Sequence, residues 1–461
     1  MTRYVLPILL VFLSIKLVGA AEPGSDEPVK PNIILLVADD LGWGDVGYHG
    51  SRIQTPNIDA LAEKGVTLEQ FYVQPLCSPT RAALMTGRYP IRYGLQVGVV
   101  RPWADYGLPA EETLLPQLLA TVGYETAMAG KWHLGEYTTG MLPRSRGFDH
   151  QYGHYLGAID YFEHTRDGGH DWHRNDQPVY EKGYSTDLIA NEAIARIKNR
   201  DKTKSLFLYV AFNAPHTPLQ APKEFIDKYA HYALPARQKY AAMVDCMDAA
   251  IGRILETAKG ELEMKNTLIV FCSDNGGIRT LGSNGELRAG KGSLYEGGIR
   301  VPAVVHWQGK LQPGTTEQPM HAVDLVPTIA SLTGIQLDPN KPLDGLDVWP
   351  TIAEGKASPH KFILHNATPE RGAMRAGPWK LIWQRLQSKG TVESDSERER
   401  WELYNIATDP KESNDLSETR SSILNRLKSE YRELAKSAAK PLRSPAKPPE
   451  GFTSPKIWGH R

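Results

Sequence analysis

"NIILLVADD", residues 32–40, is the stretch on which the fold of this chain turns. From Ile33 to Ala38 no side chain is polar, and two carboxylates, Asp39 and Asp40, follow at once. A half-exposed strand would alternate polar with apolar. An unbroken apolar run of this length predicts a strand of a parallel sheet covered on both faces. Outward from it the pattern repeats. "TPNIDALAEKG" (55–65) predicts a helix with Pro56 at its start and Gly65 at its stop. Three further rounds of helix then strand follow: "ETLLPQLLATVG" with "YETAMAGKWH", "STDLIANEAIARIK" with "SLFLYVAFNAPH", and "QKYAAMVDCMDAAIGRILETA" with "NTLIVFCSDNGG". Alternation of this kind implies an α/β domain with a large, mainly parallel sheet flanked by helices.

Polar residues gather just beyond these strands: Asp39 and Asp40, Lys131 and His133, His216, Asp274 and Asn275. Ligands of open α/β sheets bind beyond the carboxyl ends of the strands, so four loops are expected to meet at one site. Three carboxylates and an amide oxygen are hard ligands suited to Ca²⁺ or Mg²⁺. No accompanying Cys/His quartet points to structural zinc. Lys131 and His133 lie two apart, which in an extended segment puts them on the same side.

Beyond about residue 340 the pattern changes. Short antiparallel strands ("KFILHNA", "RGAMRAG", "WKLIWQRL", "WELYNIATD") and a helix over 416–438 predict a smaller α+β subdomain at 345–440. Residues 441–461 read as an extended Pro/Lys-rich tail on the surface. At the other end Arg3, an apolar run from Val5 to Val18 and the small residues Gly19, Ala20 and Ala21 have the layout of a signal peptide, assigned to 1–20. Lys16 interrupts the run well short of the roughly 20 residues a membrane span needs. An exported protein, periplasmic or secreted and with no stable membrane anchor, is expected. Lys plus Arg and Asp plus Glu both number 53, so 53 − 53 gives no bulk attraction to nucleic acid or membranes. An anionic ligand must meet a local basic site. Of three cysteines, Cys246 and Cys272 read as buried thiols rather than a bridge, leaving Cys77.

Cys77 stands in "LCSPTRAALMTGRYP" (76–90). Pro79 suits the first residue of a helix and Gly87 its stop, which places Cys77 at the helix N-terminus, where free N–H groups favour anions. Arg81, about one turn on, can reach back to it. A low-pKa thiolate is one reading. Soft sulfur beside a hard divalent cation is a poor match, and an oxygen nucleophile fits better.

"C-S-P-T-R" at 77–81, continued by "AALMTGRYP", resembles the signature of type I sulfatases. So do "VADDLGWGDVGYHG", "GKWHLG", "LPRSRGFDHQYG", "APHTPLQAP", "SDNGG" and "GKGSLYEGGIRVP", collinear over most of 31–335. Within that family "QPLCSPTRAALMTGRYPIRYGLQ" looks most like the arylsulfatase B (N-acetylgalactosamine-4-sulfatase) group. The resemblance implies an alkaline-phosphatase-like fold, with 31–340 as the catalytic domain. It also implies a Cys77 oxidised to formylglycine (3-oxoalanine) by a separate maturation enzyme, and one Ca²⁺ held by Asp39, Asp40, Asp274, Asn275 and the modified Cys77. Arg81 would stabilise the formylglycine hydrate, and Lys131 and Lys291 would hold sulfate oxygens. His133 would act as base, and His216 as acid for the leaving alcohol.

The sugar must be read by variable loops. Arg144, Arg146, His154 and Tyr155 are candidates, as is "HTRDGGHDWHR" (164–174), whose histidines do not have the spacing of a metal site. The chain departs from arylsulfatase B in lacking its additional cysteines and in 101–112. A 4-sulfated galactosamine or galactose unit of a glycosaminoglycan or algal galactan is the expected substrate. The alternatives are a formylglycine- and metal-dependent phosphodiester or phosphonate ester hydrolase, and a polysaccharide-binding protein with a decayed site.

Overall fold

A computed structural model describes residues 30–386 and 398–459; the signal assigned to 1–20 lies outside them. The central sheet has ten strands, and its middle is four parallel neighbours: Thr267–Ser273, Asn32–Ala38, Leu206–Ala211 and Glu125–Lys131. His150–His154 extends the parallel run, and antiparallel Ala303–Trp307 borders it on the other side.

The opening stretch shows why its apolar run is unbroken. Ile33, Leu35 and Val37 enter one core, while Ile34, Leu36 and Ala38 enter the other. Alternating side chains of a strand point to opposite faces, and helices cover both faces here. The long helix Pro235–Glu261 lies on one of them together with Ser185–Asn199.

A second sheet of four antiparallel strands, Ile363–Ala367, Arg371–Ala376, Trp379–Leu386 and Arg398–Asn405, packs with the helix Ser421–Ala435, shorter at both ends than expected. The tail carries no helix between 440 and 459, yet it is not merely draped on the surface. Trp458 is fully buried, and its indole N–H donates to the Arg166 carbonyl. All three cysteines are free and buried. No helix among the described residues is long and apolar enough to cross a membrane.

Candidate active site

The four central parallel strands end side by side and deliver the expected residues to one place. Asp39 and Asp40 follow Asn32–Ala38, Asp274 and Asn275 follow its neighbour Thr267–Ser273, Lys131 closes Glu125–Lys131, and His216 lies on the loop after Leu206–Ala211. Backbone bonds tie the ends together: Asp39 N–H donates to the Ala214 carbonyl at 3.0 Å, and Asp274 N–H to that of Ala38 at 3.0 Å. Asp40 has φ 69°, a left-handed conformation that costs energy in a non-glycine residue and is typical of functional sites.

Cys77 enters from a helix. The helix runs Cys77–Thr86, so Cys77 rather than Pro79 is its first residue. Gly87, at φ 68°, ends it as expected. The whole helix is buried, which lets Arg81 bring its guanidinium beneath the strand ends. Burial pushes the Cys77 thiol up, against the pull of Lys131 and Lys291.

Three anions meet three cations here. Arg81 grips Asp274 with Nε and Nη2, at 3.0 and 2.8 Å, and its Nη1 donates to the Lys131 carbonyl at 2.9 Å. Lys131 Nζ pairs with Asp39 Oδ2, and Lys291 Nζ lies 2.6 Å from Asp40 Oδ1. Although burial raises Asp40, Lys291 and His216 hold its carboxyl well below the usual range. Burial and then the Asp39 carboxylate push Asp274 up to about 6.

Not every acceptor of the set is paired. Asp39 Oδ1 and Asn275 Oδ1 are buried acceptors with no hydrogen-bond partner. An unpaired buried acceptor is costly. Ligand atoms of Asp39, Cys77 and Asp274 lie within 4.8 Å of one another, as do those of Asp39, Asp40 and His216. Hard oxygens crowded this closely fit a divalent ion such as Ca²⁺. Among the described residues no other group of His, Cys, Asp and Glu is so arranged, the 164–174 run included.

The two histidines are oriented differently. The strand stops at Lys131, and His133 turns back at φ 59°. Its backbone still bonds alongside the neighbouring strand, His133 N–H donating to the Tyr155 carbonyl at 3.0 Å, but its positive φ departs from the extended geometry the spacing argument assumed. Its Nε2 is 3.0 Å from the Val100 carbonyl, which can only accept, so Nε2 carries the proton. Nδ1 keeps a lone pair, buried and without a partner. Burial, then Lys131 and Arg81, hold His133 well below its usual range. His216 donates from Nδ1 to the Thr217 carbonyl at 2.7 Å and points Nε2 toward Asp40 Oδ2, 3.7 Å away. Its side chain is 17% exposed and that of Lys291 16%, whereas Arg81, Lys131, Asp39 and Asp274 are sealed. His216 and Lys291 thus form the accessible edge.

The expected sugar contacts fare unevenly. Arg144 is exposed. Arg146 is a correction: it is buried, and its guanidinium is spent on the carbonyls of Leu108, Pro109 and Glu112. His154 also departs from expectation. It is a fully buried strand residue in register with Lys131, with Nδ1 against the Leu156 carbonyl, and not part of an open loop. Tyr155 is buried and stacks on His173. Two residues escaped the sequence reading. The Val100 carbonyl orients His133, and no side-chain pattern marks it. Gly157 is needed because a Cβ there would lie 2.4 Å from His133 Cε1; its only signal was a glycine beside an aromatic segment.

The chain has known relatives. The family described as Sulfatase matches residues 31–335. The chain is 38% identical to arylsulfatase J of Mus musculus over 95% of its own length and 81% of that protein's. It is 35% identical to N-acetylgalactosamine-6-sulfatase of Rattus norvegicus, covering 73% and 68%. The crystal structure of Ps i-CgsB in complex with k-i-k-neocarrahexaose superposes with a TM-score of 0.81 at 36% identity, over 89% of this chain and 94% of that one. With an alkaline-phosphatase-like fold, this site and these relatives, the chain belongs to the sulfatase family and is a sulfuric ester hydrolase of the type I class.

Proposed function

We propose that the protein removes sulfate from a sulfated carbohydrate, with a 4-sulfated galactosamine or galactose unit of a glycosaminoglycan or algal galactan as its substrate. The observation that carries the reading is the meeting of Cys77 with the Asp39 and Asp274 carboxylates within 4.8 Å, ringed by Arg81, Lys131 and Lys291. A carbohydrate is supported by the ligand of the Ps i-CgsB structure. The galactosamine relative is named for the 6-sulfate, so the 4- and 6-positions must be compared directly.

Asp39, Asp40, Asp274 and Asn275 would hold Ca²⁺, which would supply positive charge to the sulfuryl oxygens and to the nucleophile. Formylglycine at Cys77 would supply that nucleophile as oxygen, the donor this ligand set accepts. Conversion needs a maturation enzyme in the producing cell, and an exported location fits the N-terminal segment. The chain's own groups do the rest. Lys131 and Lys291 hold sulfuryl oxygens and bind more strongly as charge grows there. His216, ring fixed by Thr217, protonates the leaving alcohol from Nε2. Burial holds it down at about 3, partly through its neighbours Lys291 and Lys131, so an incoming anion raises it toward the protonated form. His133 accepts a proton at Nδ1. Arg144 is the exposed cation left for an anionic sugar.

Peptide mass spectrometry across Leu76–Arg81 tests the reading, with an expected loss of roughly 18 Da at Cys77. It is paired with turnover of 4- and 6-sulfated galactosamine and of matched phosphate esters. An unmodified Cys77 in active protein, or preference for phosphate, would overturn it.

A further inference from the structure

Lys291 is the one cation of the site that stands on neither a strand end nor the buried helix. It belongs to the segment 288–297, a loop whose last two residues open the short helix Glu296–Ile299. A loop this irregular must take its position from what it touches. On the catalytic side, Lys291 N–H donates to the Gly277 carbonyl at 3.2 Å and Gly292 N–H to that of Pro75 at 2.8 Å. The other side is held by the C-terminal subdomain. Lys380, on the strand Trp379–Leu386, places Nζ 2.8 Å from Glu296 Oε1 and 2.8 Å from Glu412 Oε1, and all three side chains are fully buried. Glu412 Oε2 accepts the Glu296 backbone N–H at 2.7 Å. Tyr72 hydroxyl donates to Glu296 Oε2 at 2.8 Å, and Glu412 Oε1 accepts no hydrogen bond and is held by the Lys380 ion pair alone. Arg288 closes the arrangement. It lies 3.8 Å over the Tyr295 ring and donates to the Glu412 carbonyl at 2.9 Å and to the Tyr404 hydroxyl at 3.0 Å, while its own carbonyl accepts from Gly297 N–H.

A buried ion triad is a weak source of net stability, because desolvation offsets the attraction. Its strength is geometry: one ammonium shared by two carboxylates fixes both elements that carry them. Glu412 itself has φ 53°, a strained conformation that its partners must maintain. We infer that Lys380 is a positioning residue of the active site, clamping the 288–297 loop through Glu296 and Glu412 so that Lys291 is held where it meets sulfate. The inference rests on the reading of Lys291 as a sulfate-holding cation. It makes the C-terminal subdomain part of the sulfate site although none of these three residues touches substrate.

The test uses the full-length matured protein and reads KM for a sulfate ester, kcat, and Ki for inorganic sulfate. Lys380→Met is expected to raise KM and Ki together by about tenfold, since small misplacements of a binding group are costly. Lys380→Arg, which can still bridge both carboxylates, is expected to restore most of the loss. A purely structural role would lower thermal stability and the yield of active enzyme while leaving KM and Ki of the folded fraction unchanged, and that result overturns the inference. Should Lys380→Met not fold, Arg288→Ala loosens the same loop from a half-buried position and must raise KM and Ki in parallel. Lys291→Ala is the reference. If it leaves KM and Ki unchanged, the sulfate role of Lys291 falls and the clamp with it. If it raises them while the Lys380 and Arg288 variants do not, the clamp alone falls.

Discussion

Two buried charge clusters stand at opposite sides of the Lys291 loop, and they differ in what they leave unfinished. In the clamp, Lys380 pairs with Glu296 and Glu412, Glu412 accepts the Glu296 backbone N–H, and even Glu412 Oε1, which accepts no hydrogen bond, has the Lys380 ammonium 2.8 Å away. At the strand ends, Asp39, Asp40 and Asp274 also face three cations, yet the acceptors Asp39 Oδ1 and Asn275 Oδ1 have no partner. Both clusters incur the desolvation cost of burial. The clamp's carboxylates each face the one ammonium that joins them, whereas the strand-end cluster leaves acceptors facing neither a donor nor a cation.

The largest expected effect separates chemistry from scaffold. Cys77→Ala should lower kcat/KM by about 10⁴-fold or more, as loss of a nucleophile does, with an unchanged circular dichroism spectrum. A smaller loss would mean that the strand-end cluster works without Cys77.

The clamp has its own signature in pH. Burial, with Glu296 nearby, pushes Glu412 up to about 7 from an ordinary value of 4.5. A carboxyl raised by folding contributes stability that is fully present below its unfolded value and is lost as pH rises through the folded one. Thermal unfolding should therefore show stability falling between about pH 4.5 and pH 7, by about 3 kcal/mol at most. Glu412→Gln should flatten that slope, leaving the share of Asp274, which burial and Asp39 raise over an overlapping range. A slope unchanged in Glu412→Gln would assign it to other groups.

Cation binding sharpens the contrast. Ca²⁺ at a hundredfold excess over its Kd should stabilise the protein by about 2.7 kcal/mol, read as a rise in Tm. Asp274→Asn should abolish the response and Glu412→Gln should keep it. Equal loss in both would merge the two clusters into one.

The smallest effect probes the open geometry around His133. Gly157→Ala places a Cβ 2.4 Å from the ring and should lower kcat by about tenfold through misplacement of Nδ1. Tm should change little, because the ring's outer bond is to the Val100 carbonyl and not to a core element.

Much of the strand-end cluster was legible because its residues sit at fixed, short offsets from strongly patterned elements. "NIILLVADD" announces both its burial and its carboxylates, and the fold brings Asp39, Asp40 and Asp274 together because parallel strands end on one side. Arg81 follows from Cys77 by one helical turn. His133 was legible as a residue but not as a geometry. Its turn at φ 59° and its bond to Val100, 33 residues away, carry no local mark. Arg146 was misjudged for a related reason: an arginine in a polar loop reads as exposed, and only the packed chain shows three carbonyls converging on it.

The sequence by itself determined the α/β class, the order of helices and strands, the residues offered at the strand ends and the family signature around Cys77. Each depends on periodicity or spacing within a few residues, which is local physics. Only the tertiary structure decided which cations meet which carboxylates, which nitrogen of His133 is free, and that Trp458 is buried. The same holds for the clamp, where Lys380 meets Glu296 across 84 residues of chain and Glu412 meets Glu296 across 116. Pairing over such distances is fixed by packing and desolvation of the whole chain, and no short window of sequence contains it.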